Sequence, residues 1–441
     1  MGLFNKVMKH LKKRLAAGSI YFLLIGITLS LTFCTKKDQV LDLNPPPSGP
    51  NDTLFSLKVT SGPAFVSGLG INWNGSIDPI WEKATKMKEH LVVPNLGNNT
   101  FTGFIGNATD VTLRSLYDAN NIYVLAEWNC SQKNAALFPW YFDPVTHLWA
   151  QESDGPVYDE NGIQIRAPFI QDQFAIMFNV ANSCFDFRSK TCYAACHVCT
   201  PETYLDPVTG KIITVPVYGG VMHTNGPGEK LDLWWAKATQ VLNSNQANDC
   251  YQDWGNGAIN ETEIHDDAET APFAGETNIQ SLKLNGTGAL VDVPVWVKLN
   301  GSYSNGAILA PDTVNCKYII KVDSSGLLHY ADARGGNETG TIDPNTDTGY
   351  QQAGEGDGSR CIPGMLTALY TGSRADISAN AYWTGTGWRL MLKRALKTND
   401  VSAQDVDLSS LSDQLFGIAV MFDGADNEHA IKPDLMLRFQ K

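Results

Sequence analysis

Residues 388–396 read Trp-Arg-Leu-Met-Leu-Lys-Arg-Ala-Leu. Trp388, Leu390 and Leu392 alternate with Arg389, Met391 and Lys393, the period of two that a strand with one buried face requires. The same character recurs along the chain. Ile122–Trp128, Phe174–Val180, Val293–Leu299, Lys317–Val322, Phe416–Phe422 and Leu435–Phe439 are short β-branched or aromatic runs bounded by Gly, Asn, Asp or Pro. Helical periodicity is confined to the N-terminal 33 residues and to Ile80–His90. Many short strands with 39 glycines predict a mainly β protein, a β-sandwich. Residues 243–290 and 331–365 are rich in Asn, Gly, Asp and Thr and too long for turns. They are expected as loop insertions on a single domain spanning 53–441.

Ahead of that domain, Lys6, Lys9, Lys12, Lys13 and Arg14 precede an apolar run from Ile20 to Phe33. The run is short for a membrane span and suits an export signal over residues 1–33. Leu31-Thr32-Phe33-Cys34 resembles a bacterial lipobox, although Phe33 replaces the usual small residue. Cys34 is therefore the expected lipidation site, and the Pro-rich stretch 34–52 the tether between membrane and domain. This predicts a lipoprotein facing the periplasm or cell surface; an uncleaved signal anchor would also put the body outside the cytoplasm.

The formal charge is −13, from 33 Lys and Arg against 46 Asp and Glu. Five of the cations lie within residues 1–33, so the remainder is more acidic still. No footprint for nucleic acid exists in such a chain. No Gly-x-Ser-x-Gly elbow, Gly-rich phosphate loop or His-Glu-x-x-His helix occurs, so no catalytic constellation stands out.

One segment does carry chemistry. Cys192-Tyr193-Ala194-Ala195-Cys196-His197 sets two thiols directly before a histidine, the arrangement that attaches haem c covalently. Each sulfur adds to a porphyrin vinyl and the imidazole reaches the iron. The usual spacing has two residues between the cysteines and this chain has three. A disulfide, or a zinc site that adds Cys199, is the competing reading. Cys130, Cys184, Cys199, Cys250, Cys316 and Cys361 then remain, enough for three disulfides in an oxidising compartment. Asp343, Asn345 and Asp347 space oxygens as calcium loops do, and 261–269 is acidic, but a solvated turn explains both as well.

In order, these blocks resemble the haem-binding domain of the ethylbenzene dehydrogenase gamma subunit, related dimethyl sulfoxide reductase-type cytochrome subunits and certain exported c-type cytochromes. The blocks are 72–84, 109–129, 171–197 with its CYAACH core, 229–238 (EKLDLWWAKA), 374–398 and 415–439. The resemblance implies a β-sandwich that grips a porphyrin and passes electrons. Its partner would be another redox protein, a molybdenum oxidoreductase or a cytochrome. Family members with haem b use Met and Lys as axial ligands, whereas the thioether cysteines here resemble the c-type branch. His197 is then the proximal ligand. The sixth ligand is expected to be His223, with Met222, Lys432 and His429 following in that order. A haem-free alternative is a surface carbohydrate-binding lipoprotein using Trp73, Trp81, Trp140 and Trp149 as stacking platforms, although core packing is the commoner fate of tryptophan.

Overall fold

The computed structural model describes residues 52–440, except 95–102, 144, 153–156, 159–163, 167–169, 185–186, 188–200, 206–211, 217–222, 225, 256–262, 272–276, 300–306, 310–315, 347–361, 401 and 425–428. The signal, Cys34, nearly all of the tether, Cys192, Cys196, His197, Cys199, Met222, Asp347 and Cys361 thus lie outside the described residues. Among the described residues no helix is long and apolar enough to cross a membrane.

Twelve strands form the main sheet: Thr53–Lys58 (β1), Met87–Val92 (β2), Ala108–Tyr117 (β3), Asn121–Asn129 (β4), Gln173–Asn179 (β5), Lys230–Lys237 (β6), Asn248–Asp253 (β7), Ile264–Asp266 (β8), Ser378–Trp383 (β9), Gly387–Ala395 (β10), Gln414–Met421 (β11) and Ala430–Gln440 (β12). Their order is β8-β7-β6-β5-β11-β12-β1-β3-β4-β10-β9, with β2 against β12 and β3. β1 runs parallel to β12 and β3, and the other pairs are antiparallel.

The sheet folds over on itself, because each half has one apolar face to bury. Leu390 and Leu392 of β10 and Val124 and Ala126 of β4 share a core with Phe174, Ile176 and Phe178 of β5 and Trp234 of β6. Trp128 stacks on Phe174 with ring centroids 5.4 Å apart, joining the halves. The ends of the sheet meet where Gln246 bridges Ser378. A sandwich results, as the alternation at 388–396 predicts. Gly387 allows a close approach there: a Cβ at this position would run into the Trp128 carbonyl across the ladder.

Three features depart from the sequence expectation. The helix expected over Ile80–His90 is a 3-10 turn, Pro79–Lys83, followed by β2. Met87, Glu89 and Leu91 are buried while their neighbours are exposed, so the period-two pattern wins. Within 243–290 the chain contributes β7 and β8 to the main sheet. Val293–Leu299 and Lys317–Val322 leave the sandwich for a second core. The strands Trp296–Lys298, Cys316–Val322, Leu328–Ala331 and Glu338–Ile342 form a separate sheet. It closes on Trp140, Phe142, Trp149, Ile319 and Val322 with the hairpin that carries those aromatics. Local patterning marks a strand but does not say which sheet it joins.

Candidate functional site

One end of the sheet is built by β5, β6 and β7. Asn179 closes β5 opposite Leu231, and Lys230 lies opposite Asp253. Past Asn179 the chain turns through Ala181 and Asn182, both in the left-handed region at φ 51° and 54°. The Asn179 side chain clamps this turn: its Oδ1 accepts the Cys184 amide and its Nδ2 donates to the Cys184 carbonyl, both at 2.9 Å. Ser183 Oγ donates to the Lys230 carbonyl at 3.1 Å and accepts the Lys230 amide at 2.9 Å. Cys184 and Phe187 are buried under the same strands. Phe187, the last described residue before Cys192, is therefore fixed at this end.

His223 sits at the same end. The Thr224 amide donates to the Asp253 carbonyl at 2.9 Å, fastening the His223 loop to the tip of β7. The imidazole is 6% exposed. Its Nδ1 lies 2.6 Å from the Thr224 carbonyl. A carbonyl only accepts, so Nδ1 carries the proton and Nε2 keeps its lone pair. The Trp254 ring meets the imidazole edge-on, centroids 4.9 Å apart, and fixes its orientation. A buried, oriented imidazole with an open Nε2 is the donor that an iron requires.

The other candidates fare differently. Lys432 Nζ is held 3.1 Å from Glu89 and 3.3 Å from Asp52. Burial works against its charge, but the two carboxylates outweigh it and hold its pKa above the usual lysine value. Both contacts favour the charged ammonium, the form without a lone pair for an iron. His429 precedes β12, whose Ala430 lies opposite Val420 and, through it, Phe174 of β5. That is the opposite end of β5 from Asn179, about 17 Å of strand away.

Trp73, Trp81, Trp140 and Trp149 are all buried and offer no open platform. Asp343 Oδ1 accepts the Asn345 amide at 3.0 Å and its Nδ2 at 3.1 Å, a hydrogen-bonded turn. In the acidic stretch, Glu269 and Asp266 pair with Arg374, and Glu263 lies 2.9 Å from His265. Cys130 and Cys250 are free thiols, so neither takes part in the disulfides expected from the cysteine count. Burial pushes Cys250 well above the normal thiol range.

An open cleft of about 630 Å³ lies across β2, β3, β4 and β10, among Lys88, His90, Asp110, Glu127, Asn129 and Arg389. None of these six is a binding residue on the sequence reading. Beneath it, Trp388 Nε1 donates to Asp172 at 2.8 Å, as does the Asn134 amide at 2.9 Å. Burial pushes Asp172 up to about 7 despite these donors.

Among solved structures, a family 9 carbohydrate-binding module from Caldicellulosiruptor kristjanssonii in complex with cellotriose is similar at 8% identity and a TM-score of 0.26, covering 88% of this chain and 93% of that one. A family 9 module from the same organism in complex with glucose gives 9% and 0.25, covering 88% and 95%. TM-scores this low carry no argument. No curated protein matches. A family model described as ethylbenzene dehydrogenase matches residues 78–432. That match corrects the narrower resemblance drawn from the sequence blocks: it is to the family under this description, not to the haem-bearing gamma subunit or a c-type branch. The chain belongs to the ethylbenzene dehydrogenase family.

Proposed function

We propose that this protein is an exported electron carrier holding one covalent haem through Cys192 and Cys196, with His197 and His223 as the iron's two protein ligands. A haem so ligated supplies one-electron exchange and leaves no open position for substrate. Its partner is another redox protein, a cytochrome or a molybdenum oxidoreductase. Cys34 anchors it through lipid at the periplasmic or outer face of a membrane. Membership of an oxidoreductase-named family supports the redox reading, and CYAACH supplies the attachment chemistry.

The observation that carries the proposal is the His223 imidazole: buried, its Nδ1 proton committed to Thr224, its Nε2 open, and placed at the sheet end where Asn179 clamps the Cys184 turn. The Thr224 carbonyl sets the tautomer and Trp254 the ring plane, so the donor is oriented before any metal arrives. The test is the ferric spectrum of protein matured with a haem-attachment system. Wild type is expected low spin, without the weak red-edge band of a methionine–iron bond. His223→Ala is expected high spin and quick to take up cyanide, or carbon monoxide once reduced. An unchanged low-spin spectrum in His223→Ala would overturn the assignment.

The cleft between β2 and β10 favours a second reading, saccharide binding without haem. Its carboxylates, amide and guanidinium are the groups that pair with sugar hydroxyls. A colourless protein that binds cello-oligosaccharides, and loses them on Glu127→Ala, would decide for it.

A further inference from the structure

Between the two layers, well inside the sandwich, lies a group of charges that neither reading uses. Asp232 of β6 and Asp249 of β7 share a face of the sheet, since Trp234, two residues on from Asp232, lies opposite Asp249. The Asp267 amide donates to the Asp249 carbonyl at 3.1 Å, which continues the β7–β8 ladder and puts Asp267 directly across from Asp249. Like charges so placed repel. From the facing layer comes Arg394 of β10, and Asp405 completes the set from the loop that follows.

Arg394 Nη1 donates to Asp232 Oδ2 at 2.7 Å. Its Nη2 is 3.1 Å from Asp405 and its Nε 3.6 Å from Asp249. One guanidinium thus faces four carboxylates, with Asp376 and Asp400 further acidic neighbours. Asp232, Asp249 and Arg394 are 0% exposed and Asp267 is 2% exposed. Seven carboxylate oxygens here are buried without a hydrogen bond: Asp232 Oδ1 and both oxygens of Asp249, Asp267 and Asp405. Native proteins rarely leave buried anions in that condition, because each costs several kcal/mol unless a counter-charge takes its place.

We propose that Asp232, Asp249 and Asp405 form a buried calcium site that ties the two layers of the sandwich together, with Asp267 beside it. One oxygen from each of Asp232, Asp249 and Asp405 lies within 4.8 Å of the other two, so a single ion can sit within about 2.8 Å of all three, close to the calcium–oxygen range. Donors that are all oxygen select a hard cation. A dry pocket favours calcium, since magnesium gives up its waters reluctantly. Asp267, across the ladder from Asp249, adds a fourth negative charge beside the site, and Arg394 offsets part of the total. The site is independent of the haem and of the Asp343 turn.

The experiment uses the full-length protein as purified. Metal analysis after desalting is expected to find one calcium per chain. Chelation with EGTA should lower the melting temperature by several degrees, and added calcium chloride should restore it, while magnesium should not. Asp249→Asn and Asp405→Asn should each lose both the ion and the calcium-dependent shift, whereas Asp343→Asn should keep them. Should Asp249→Asn fail to fold, metal content and calcium response of wild type and Asp405→Asn still decide the matter. Wild type without calcium and indifferent to it, or an unaltered calcium response in both variants, overturns the proposal.

Discussion

At His223 the account turns on a single nitrogen. If Nε2 is the iron's ligand, Met222→Ala and His429→Ala should leave the ferric spectrum as in wild type, while His223→Ala alone changes spin state. A red-edge methionine band in wild type that vanishes in Met222→Ala would transfer the role to its neighbour. Asp172 makes a second residue-scale prediction. Its folded value near 7 lies above the ordinary 3.8, so the folded state keeps a proton that the unfolded chain releases. The stability this contributes is full below about pH 4 and is lost as pH rises through 7, on the order of a few kcal/mol. Urea titrations at pH 5 and pH 8 should show the loss in wild type and a smaller one in Asp172→Asn. Equal pH dependence in both would sink this reading. The sequence singles out His223 by its Gly-flanked loop between the Cys192–His197 segment and a strand, but not its burial against Trp254. The role of Thr224 was not legible, since a backbone carbonyl leaves no mark on composition.

The strands β2 and β12 are joined by a pair whose partners differ in exposure, since the Lys432 side chain is 30% exposed and that of Glu89 5%. Removing the lysine leaves the carboxylate buried and uncompensated. Lys432→Ala should therefore cost about 3 kcal/mol, and Glu89→Gln in the same chain should recover most of it. A double variant no more stable than the single one would show that the pair does not act as described. In the β4–β10 ladder, Gly387→Ala should lower the melting temperature by several degrees, because the added methyl meets the Trp128 carbonyl. The strands β4, β5, β10, β11 and β12 were readable, since alternation at Trp388–Leu392 or β-branched runs such as Ile122–Trp128 report local backbone and burial directly. Partner choice was not readable. Val293–Leu299 has the same pattern as the sandwich strands, yet Pro294 breaks it and Trp140 and Trp149 draw it to the second core. Nor did Asp232 and Asp249 declare themselves as neighbours of Arg394, because the contact joins positions far apart in the chain.

Taken whole, the molecule is a β-sandwich of the ethylbenzene dehydrogenase family, mostly closed on itself, with one sheet end proposed for haem and its interior proposed for calcium. If Cys34 is acylated, Cys34→Ala should move the protein from the membrane to the soluble fraction; equal retention of both forms would point to an uncleaved anchor. The central claim, covalent haem at Cys192 and Cys196, is tested most directly by haem content after acid–acetone extraction. The protein, exported from cells with a haem-attachment system, should be red. Its Soret band should survive extraction with about one pyridine haemochrome per chain, and the Cys192→Ala, Cys196→Ala double variant should have none. A colourless wild type, or a double variant that retains extraction-resistant haem, would contradict the account.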